Sequence, residues 1–159
     1  MVGTTIEDVE DFLDQKRIAF VGVSRNPKDF SRTLFRDLRE QGYTVIPVNP
    51  QMPDVEGSHC FARVQDVTPP VDGALIMTPA AKSEQVVRDC AQAGITRVWL
   101  HRGAGAGSVS PEALKVCEDL GIRAVAGYCP YMFLPQTPFF HKIHGFWMKA
   151  TGAYPAPCH

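Results

Sequence analysis

The sequence contains no long apolar run and no strong excess of charge of one sign. None of its uncharged apolar stretches approaches the roughly 18 to 20 residues that a membrane-spanning helix requires, so the sequence predicts no membrane span. The 159 residues include 16 basic and 17 acidic side chains, which gives a net charge of −1. Because proteins that bind nucleic acids or anionic membranes usually carry a marked basic excess, we expect neither kind of partner.

The sequence also lacks the cysteine spacing of zinc-binding and redox-active motifs. Its five cysteines are odd in number and scattered, and no two of them form a C-x-x-C pair. The segment 5–11 is acidic, whereas a secretory signal begins with basic residues and continues into an apolar stretch. Scattered thiols of this kind are typical of a reducing compartment, so we predict a cytoplasmic protein.

A repeated junction is the clearest positive pattern. An amphipathic helical stretch ends at Gly42, at Gly94 and at Gly121, and a short apolar run follows each time. Glycine suits the left-handed conformation that often ends a helix, and short, continuously apolar runs are typical of strands buried on both faces. The predicted strands cover residues 18–23, 43–48, 73–77, 97–100 and 123–126, and residues 59–67 are expected to add an edge strand and a helical turn.

This alternation of helices and strands predicts the fold class. Parallel neighbouring strands need crossover connections, which place helices on both faces of the sheet. We therefore predict an α/β protein with a Rossmann-like, doubly wound, mainly parallel sheet of five to six strands.

The composition changes after Gly127. Residues 128–154 contain eight of the fifteen aromatic residues together with three prolines, and they follow no helix or strand period. We predict one domain over residues 1–134 and a C-terminal extension over residues 135–159 that packs on this domain or on a partner subunit. Exposed aromatic rings mark interfaces, so a homodimer contact is one expectation, and a core cover and a ligand lid are the alternatives.

The loop after the first predicted strand is a candidate anion site. Ligands of open parallel sheets bind at the carboxyl ends of the strands, and this loop leads into a helix whose N–H groups and dipole favour a phosphate. Residues 25–39 contain five basic and two acidic side chains, which predicts a local anion-attracting patch. The alternative interpretation is a solvated helix face without a ligand.

The sequence lacks the two sequence features that are typical of nicotinamide dinucleotide binding. The loop has no G-x-G-x-x-G motif, and the second predicted strand ends with a neutral residue, Asn49, in place of the acid that binds the ribose hydroxyls. The candidate anion site is therefore better suited to another phosphorylated nucleotide.

These residues resemble a known family. Gly22-Val23-Ser24-x-x-Pro27, Ser31, Gly42-Tyr43-x-Val45-x-Pro47-Val48-Asn49-Pro50 and Pro69-Pro70-Val71-Asp72 are similar to the small CoA-binding domain proteins, which are relatives of the CoA-binding domain of the succinyl-CoA synthetase α subunit. The resemblance covers residues 18–134. It implies a Rossmann-like sheet that holds coenzyme A or an acyl-CoA along its strand ends, without catalysis of its own.

The resemblance also implies a set of binding residues. The phosphates of the ADP half would lie against Gly22, Val23, Ser24, Arg25, Asn26 and Ser31, with Arg32 or Lys82 as a supplementary charge. The adenosine end would lie against Pro47, Asn49 and Pro50. The pantetheine arm would lie against Thr78, Pro79 and Ala80, and His101, Arg102 and Gly103 would follow the next strand at the same edge. The glycine- and alanine-rich loop at 103–107 and the aromatic tail depart from the family.

The alternative function is a CoA- or nicotinamide-dependent enzyme that uses Cys129 or His101. Cys129 follows the last predicted strand at the binding edge, but a reactive thiol needs a pKa that a cation or a helix N-terminus has lowered. Cys90 and Cys117 lie on inward helical stripes and are expected to be core residues. We predict no catalytic residue.

Histidines near the C-terminus are the candidate metal ligands. His141 and His144 are three residues apart, and Cys158 and His159 lie farther along the chain. This spacing matches no recognised zinc motif, so we predict no metal site.

Overall fold

The computed structural model describes residues 3–102 and 107–134. In this part of the chain, four α-helices are α1 (Ile6–Leu13), α2 (Phe30–Glu40), α3 (Ala80–Gln92) and α4 (Pro111–Leu120). The strands are β1 (Arg17–Val21), β2 (Thr44–Val48), β3 (Asp54–Val55), β4 (Ser58–His59), β5 (Gly73–Ile76), β6 (Arg97–His101) and β7 (Arg123–Tyr128). Two short 3₁₀ turns follow β4 and β7, at Val64–Asp66 and Pro130–Met132.

Five of the strands form one parallel sheet in the order β2-β1-β5-β6-β7. The chain passes from β1 to β2 on one side and then crosses back to β5 on the other side, so the strand order reverses between β1 and β5. Val21 is level with Val48 of β2 and with Ile76 of β5. The three strands therefore end together at this reversal, which is where open α/β sheets bind ligands.

Helices cover both faces of the sheet, as the alternating pattern predicts. One core cluster joins Phe20, Leu75 and Trp99 of the strands to apolar residues of α1 and α2. The other joins strand residues such as Val98 and Leu100 to α3 and α4. The predicted doubly wound α/β class is confirmed, with five strands in the main sheet.

The expected edge strand within residues 59–67 is reduced to a single bridge. Phe61 donates its N–H to the carbonyl of Pro47 at 3.0 Å and accepts the N–H of Asn49 at 2.9 Å. Extending the ladder backward would require an N–H at Pro47, which proline does not have. Instead β3 and β4 pair with each other as a short antiparallel hairpin, and the expected helical turn is the 3₁₀ turn at Val64–Asp66.

None of the described helices is long and apolar enough to cross a membrane. The C-terminal extension at residues 135–159 lies outside the described residues. Its packing and the homodimer contact stay predictions.

Candidate functional site

A cleft of about 350 Å³ opens at the carboxyl ends of β1, β2 and β5, where the strand order reverses. Strand ends form one side of this strand-end cleft, and α3 together with the segment before the first 3₁₀ turn forms the other. The lining consists of Val21, Gly22, Val48, Asn49, Pro50, Gln51, Ala62, Arg63, Val64, Met77, Thr78, Pro79, Lys82, Val86 and Asp89.

Gly22 allows the loops after β1 and β5 to approach each other at the base of the cleft. Its φ angle is +94°, and a Cβ atom there would lie 2.8 Å from the backbone nitrogen of Thr78 and 2.9 Å from the carbonyl carbon of Met77. Both the backbone conformation and the available space therefore require glycine.

The loop after Gly22 satisfies several of its own backbone donors. The N–H of Ser24 donates to the hydroxyl of Ser31 at 2.9 Å, and the N–H of Asn26 donates to the hydroxyl of Ser24 at 3.1 Å. The Asp29 carboxylate caps α2 by accepting from the N–H and the hydroxyl of Ser31, at 2.9 and 2.6 Å. A carboxylate thus lies where we expected a phosphate. Arg25 and Asn26 remain exposed beside it.

Arginines of the predicted anion-attracting patch bind the β3–β4 hairpin instead. Arg32 and Arg36 contact the carboxylate of Glu56 at 2.8 and 2.9 Å, and Arg39 donates to the Glu56 carbonyl at 2.9 Å. Arg32 also donates to the carbonyl of Ser24 at 3.2 Å. Desolvation by itself would raise the pKa of Glu56, but the hydrogen bonds from Arg32 and Arg36 hold it below its ordinary value. Arg32 therefore stabilises the loop after β1 and does not line the cleft.

Asn49 ties the end of β2 to the loop after β1. Its side-chain NH₂ donates to the carbonyl of Val23 at 2.8 Å, and its side-chain oxygen accepts the N–H of Gln51 at 2.8 Å. A carboxylate accepts hydrogen bonds but does not donate them, so an amide is the residue type that makes both contacts. Pro50 lines the cleft, whereas Val23 and Pro47 are buried beneath it.

Thr78 forms the opposite side of the reversal point. Its carbonyl accepts from the buried hydroxyl of Ser108 at 2.6 Å, which fixes the loop after β5 to the loop after β6. Its own side-chain oxygen is buried and has no hydrogen-bond partner among the described residues.

The N-terminus of α3 has no side-chain cap. Pro79 occupies the cap position and offers no side-chain oxygen, Ala80 begins the helix, and the first turn contains Lys82 and no acidic residue. The first N–H groups of a helix have no acceptor within it and carry its positive dipole end. Side chains cap the other three helices, namely Thr5 for α1, Asp29 for α2 and Ser110 for α4.

Two of the residues expected beside the end of β6, His101 and Arg102, do not line the strand-end cleft. His101 is buried, with its ring 5.7 Å from that of Phe30. Arg102 is exposed and lines a different cleft, of about 560 Å³, between α4 and β7. Gly103 lies outside the described residues. Arg102 therefore does not line the strand-end cleft, and its assignment to the CoA site stays a prediction.

Burial argues against a nucleophilic thiol. Cys129 is 2% exposed, and burial raises its pKa to about 11, which is the direction opposite to activation. Burial also raises the pKa of Cys90 to about 12 and that of Cys117 to about 11, so both are core residues as expected.

Among residues 3–102 and 107–134, no group of three or more potential ligands lies close enough to hold a metal ion. The candidate ligands His141, His144, Cys158 and His159 lie outside these ranges.

The cleft contains side chains that the sequence reasoning missed. Val86 and Asp89 follow Lys82 at four and seven residues on α3, and this helical spacing was the available signal because it places all three on one face. Arg63 and Val64 belong to the segment 59–67, which was expected to add an edge strand and which the structure places beside β2. A segment at that edge brings its following turn close to the end of β2.

A doubly wound sheet with a cleft at its reversal point is the architecture of nucleotide-binding domains. The model of the CoA binding domain family matches residues 16–135. This chain therefore belongs to the CoA binding domain family.

The chain is similar to a CoA ligase subunit and to two small proteins without an assigned activity. The chain is 28% identical over 126 residues to the α subunit of acetate–CoA ligase (ADP-forming) II of Pyrococcus furiosus, covering 74% of this chain and 27% of that subunit. It is 23% identical over 123 residues to the uncharacterized protein YneT of Bacillus subtilis, covering 77% and 88%. A hypothetical protein from Pyrococcus horikoshii OT3 superposes with a TM-score of 0.73 at 29% identity, covering 80% and 88%. The chain thus spans about a quarter of the length of the ligase subunit.

Proposed function

We propose that this chain binds coenzyme A or an acyl-CoA in the strand-end cleft and catalyses no reaction of its own. The observation that carries the proposal is the position of the cleft. It lies at the reversal point, within the segment that matches the CoA binding domain family, and it is lined by residues that the family resemblance assigns to CoA. These are Gly22, Asn49, Pro50, Thr78 and Pro79, together with the supplementary cation Lys82.

The cleft has the chemistry that an adenine nucleotide needs. Its volume is within the roughly 300 to 1,000 Å³ of small-molecule sites, and valines from β1, β2 and α3 supply apolar surface for a base. We place the adenosine end against Asn49 and Pro50. The phosphates lie between the loop after β1, with Arg25 exposed beside it, and the uncapped N-terminus of α3, which favours anions.

The pantetheine arm follows residues 78–80 toward the solvent. The Cys129 thiol takes no part in the proposed function, because its raised pKa keeps this group protonated near neutral pH. The ligase activity in the name of the Pyrococcus relative is not transferred, since the chain spans 27% of that subunit. We also propose a cytoplasmic location, where the free, buried thiols at positions 60, 90, 117 and 129 stay reduced.

Calorimetric titration of the full chain tests this function. The titrants are CoA, acetyl-CoA, NAD and ATP, and we expect CoA or acetyl-CoA to bind more tightly than NAD. Tighter binding of NAD than of both CoA compounds would refute the proposal. A similar affinity for CoA and acetyl-CoA would show that the acyl group lies outside the cleft.

A further inference from the structure

Six of the fourteen lysines and arginines in the described chain form ion pairs, and two cations in the strand-end cleft are not among them. Arg32 and Arg36 form ion pairs with Glu56. Four further basic residues form ion pairs with other carboxylates, namely Arg88, Arg97, Lys115 and Arg123. Arg63 and Lys82 line the cleft. No carboxylate in residues 3–102 or 107–134 lies within 4 Å of either of them, and their side chains make no hydrogen bond there.

The two cations approach the cleft from different elements. Arg63 precedes the 3₁₀ turn at Val64–Asp66, and the bridge between Phe61 and Val48 fixes this segment beside the end of β2. Lys82 lies in the first turn of α3, the helix whose N-terminus has no side-chain cap. The cleft therefore combines one unpaired cation beside the end of β2 with another at the positive dipole end of α3.

One acidic side chain shares the cleft. Asp89 lines it as well, but its carboxylate accepts a hydrogen bond from Gln85 at 3.0 Å. It is seven residues beyond Lys82 on α3, which is about 10 Å along the helix axis. The negative charge thus lies about two turns beyond Lys82, whose positive charge lies in the first turn of the helix.

The geometry points to Arg63 and Lys82 as the pair that recognises a phosphomonoester, the 3′-phosphate of CoA. This inference rests on the proposed function, because it assigns selectivity to the same cleft. The 3′-phosphate is attached to the adenosine ribose, so it belongs beside the end of β2, where Arg63 lies. An arginine fork binds phosphate oxygens in pairs, and a lysine adds a compact charge. Dephospho-CoA and NAD lack this group.

Selectivity between CoA and dephospho-CoA tests the assignment. The affinities of both compounds are measured by calorimetry for the parent protein and for Arg63→Gln, Lys82→Gln and the control Arg88→Gln. The control substitution removes a positive charge from α3, as Lys82→Gln does, but Arg88 pairs with Glu84 and does not line the cleft. We expect the parent to prefer CoA by at least tenfold, about 1.4 kcal/mol. Arg63→Gln and Lys82→Gln should each remove most of this preference, and Arg88→Gln should keep it.

The affinity for dephospho-CoA serves as an internal measure of folding. It should stay within about twofold of the parent value in Arg63→Gln, since that ligand lacks the group that Arg63 binds. Lys82 also lies in the first turn of α3, beside the proposed diphosphate position, so the Lys82→Gln variant is judged by its loss of selectivity. Equal loss of affinity for both ligands would overturn the inference, and so would a parent protein that binds them equally while still binding CoA. A parent that binds neither compound would instead refute the proposed function itself.

Discussion

Substituting Gly22 with alanine should weaken CoA binding far more than the same substitution at Gly42. The two glycines have nearly the same φ angle, +94° and +97°. Alanine at either position therefore introduces a similar backbone strain, which costs on the order of 1 to 3 kcal/mol. Only the surroundings differ, because a Cβ atom at Gly42 meets nothing within 4 Å, whereas one at Gly22 meets the backbone of Thr78.

The displacement at Gly22 follows from the distances. The added Cβ would lie 2.8 Å from the nitrogen of Thr78, and ordinary van der Waals contact begins at 3.4 Å, so the loops after β1 and β5 must separate by about 0.6 Å. The obstacle is backbone and does not rotate away as a flexible side chain would. Because both loops form the proposed phosphate site, we expect CoA to bind at least about tenfold more weakly, a loss of about 1.4 kcal/mol.

Two measurements separate this effect from strain. Thermal unfolding of Gly22→Ala and Gly42→Ala gives the stability of each variant, and calorimetric titration with CoA, well below both midpoints, gives the affinity. We expect both variants to be less stable than the parent and only Gly22→Ala to lose affinity. Parent-like affinity in Gly22→Ala, or an equal loss in the two variants, would refute the reasoning that the close approach of the two loops shapes the site.

Two further predictions concern titratable groups. Glu56→Gln should lower the free energy of unfolding by about 0.5 to 1 kcal/mol at pH 7, because it removes the charge that Arg32 and Arg36 bind. The folded-state pKa of Glu56 is lowered, so its stabilisation is present above the ordinary glutamate pKa of about 4.3 and is lost as the pH falls through the folded-state value. Urea unfolding of parent and variant should thus give a difference in the free energy of unfolding that is smaller at pH 3 than at pH 7. An equal difference at the two pH values would contradict the role of the ion pairs. Cys129 should react with iodoacetamide at pH 8.5 at least about a hundredfold more slowly than a free thiol, whose pKa is about 8.5, because burial raises the Cys129 pKa to about 11. Peptide-resolved mass spectrometry measures this rate, and rapid labelling of the folded protein below pH 8 would mean that Cys129 is activated.

The fold was predictable because its signals are local. The α4 helix begins after the Ser110 cap with Pro111 in its first turn and ends at Gly121, whose φ is +67°. Each of these preferences acts over a few residues and was visible in the chain. The order of the strands is also constrained by crossover rules that hold for most parallel sheets. Residues 59–67 were less predictable, since the missing N–H that limits their pairing belongs to Pro47, on another strand.

The candidate site was predictable in its position and less so in its contacts. A sequence count of charges over residues 25–39 treats all arginines alike. It does not reveal that Glu56, on a distant hairpin, binds Arg32, Arg36 and Arg39. Similarly, Asn49 was recognised as neutral, but its hydrogen bond to Val23 joins residues 26 positions apart. Long-range pairing of polar groups carries no periodic signal, and it decides which cations stay available to a ligand.

The hydrogen bonds of the loop after β1 constrain where a diphosphate binds. A phosphate that used the N–H groups of Ser24 and Ser31 would have to displace the Ser31 hydroxyl and the Asp29 carboxylate, at 2.9 Å each. Replacing a made hydrogen bond by another yields little net energy, and the carboxylate adds repulsion. The N-terminus of α3 requires no such exchange, because Pro79 provides no cap and Lys82 lies in the first turn. The phosphates should therefore lie nearer to α3 than a glycine-loop analogy suggests, with Gly22 supplying space at the reversal point and α3 supplying the donors.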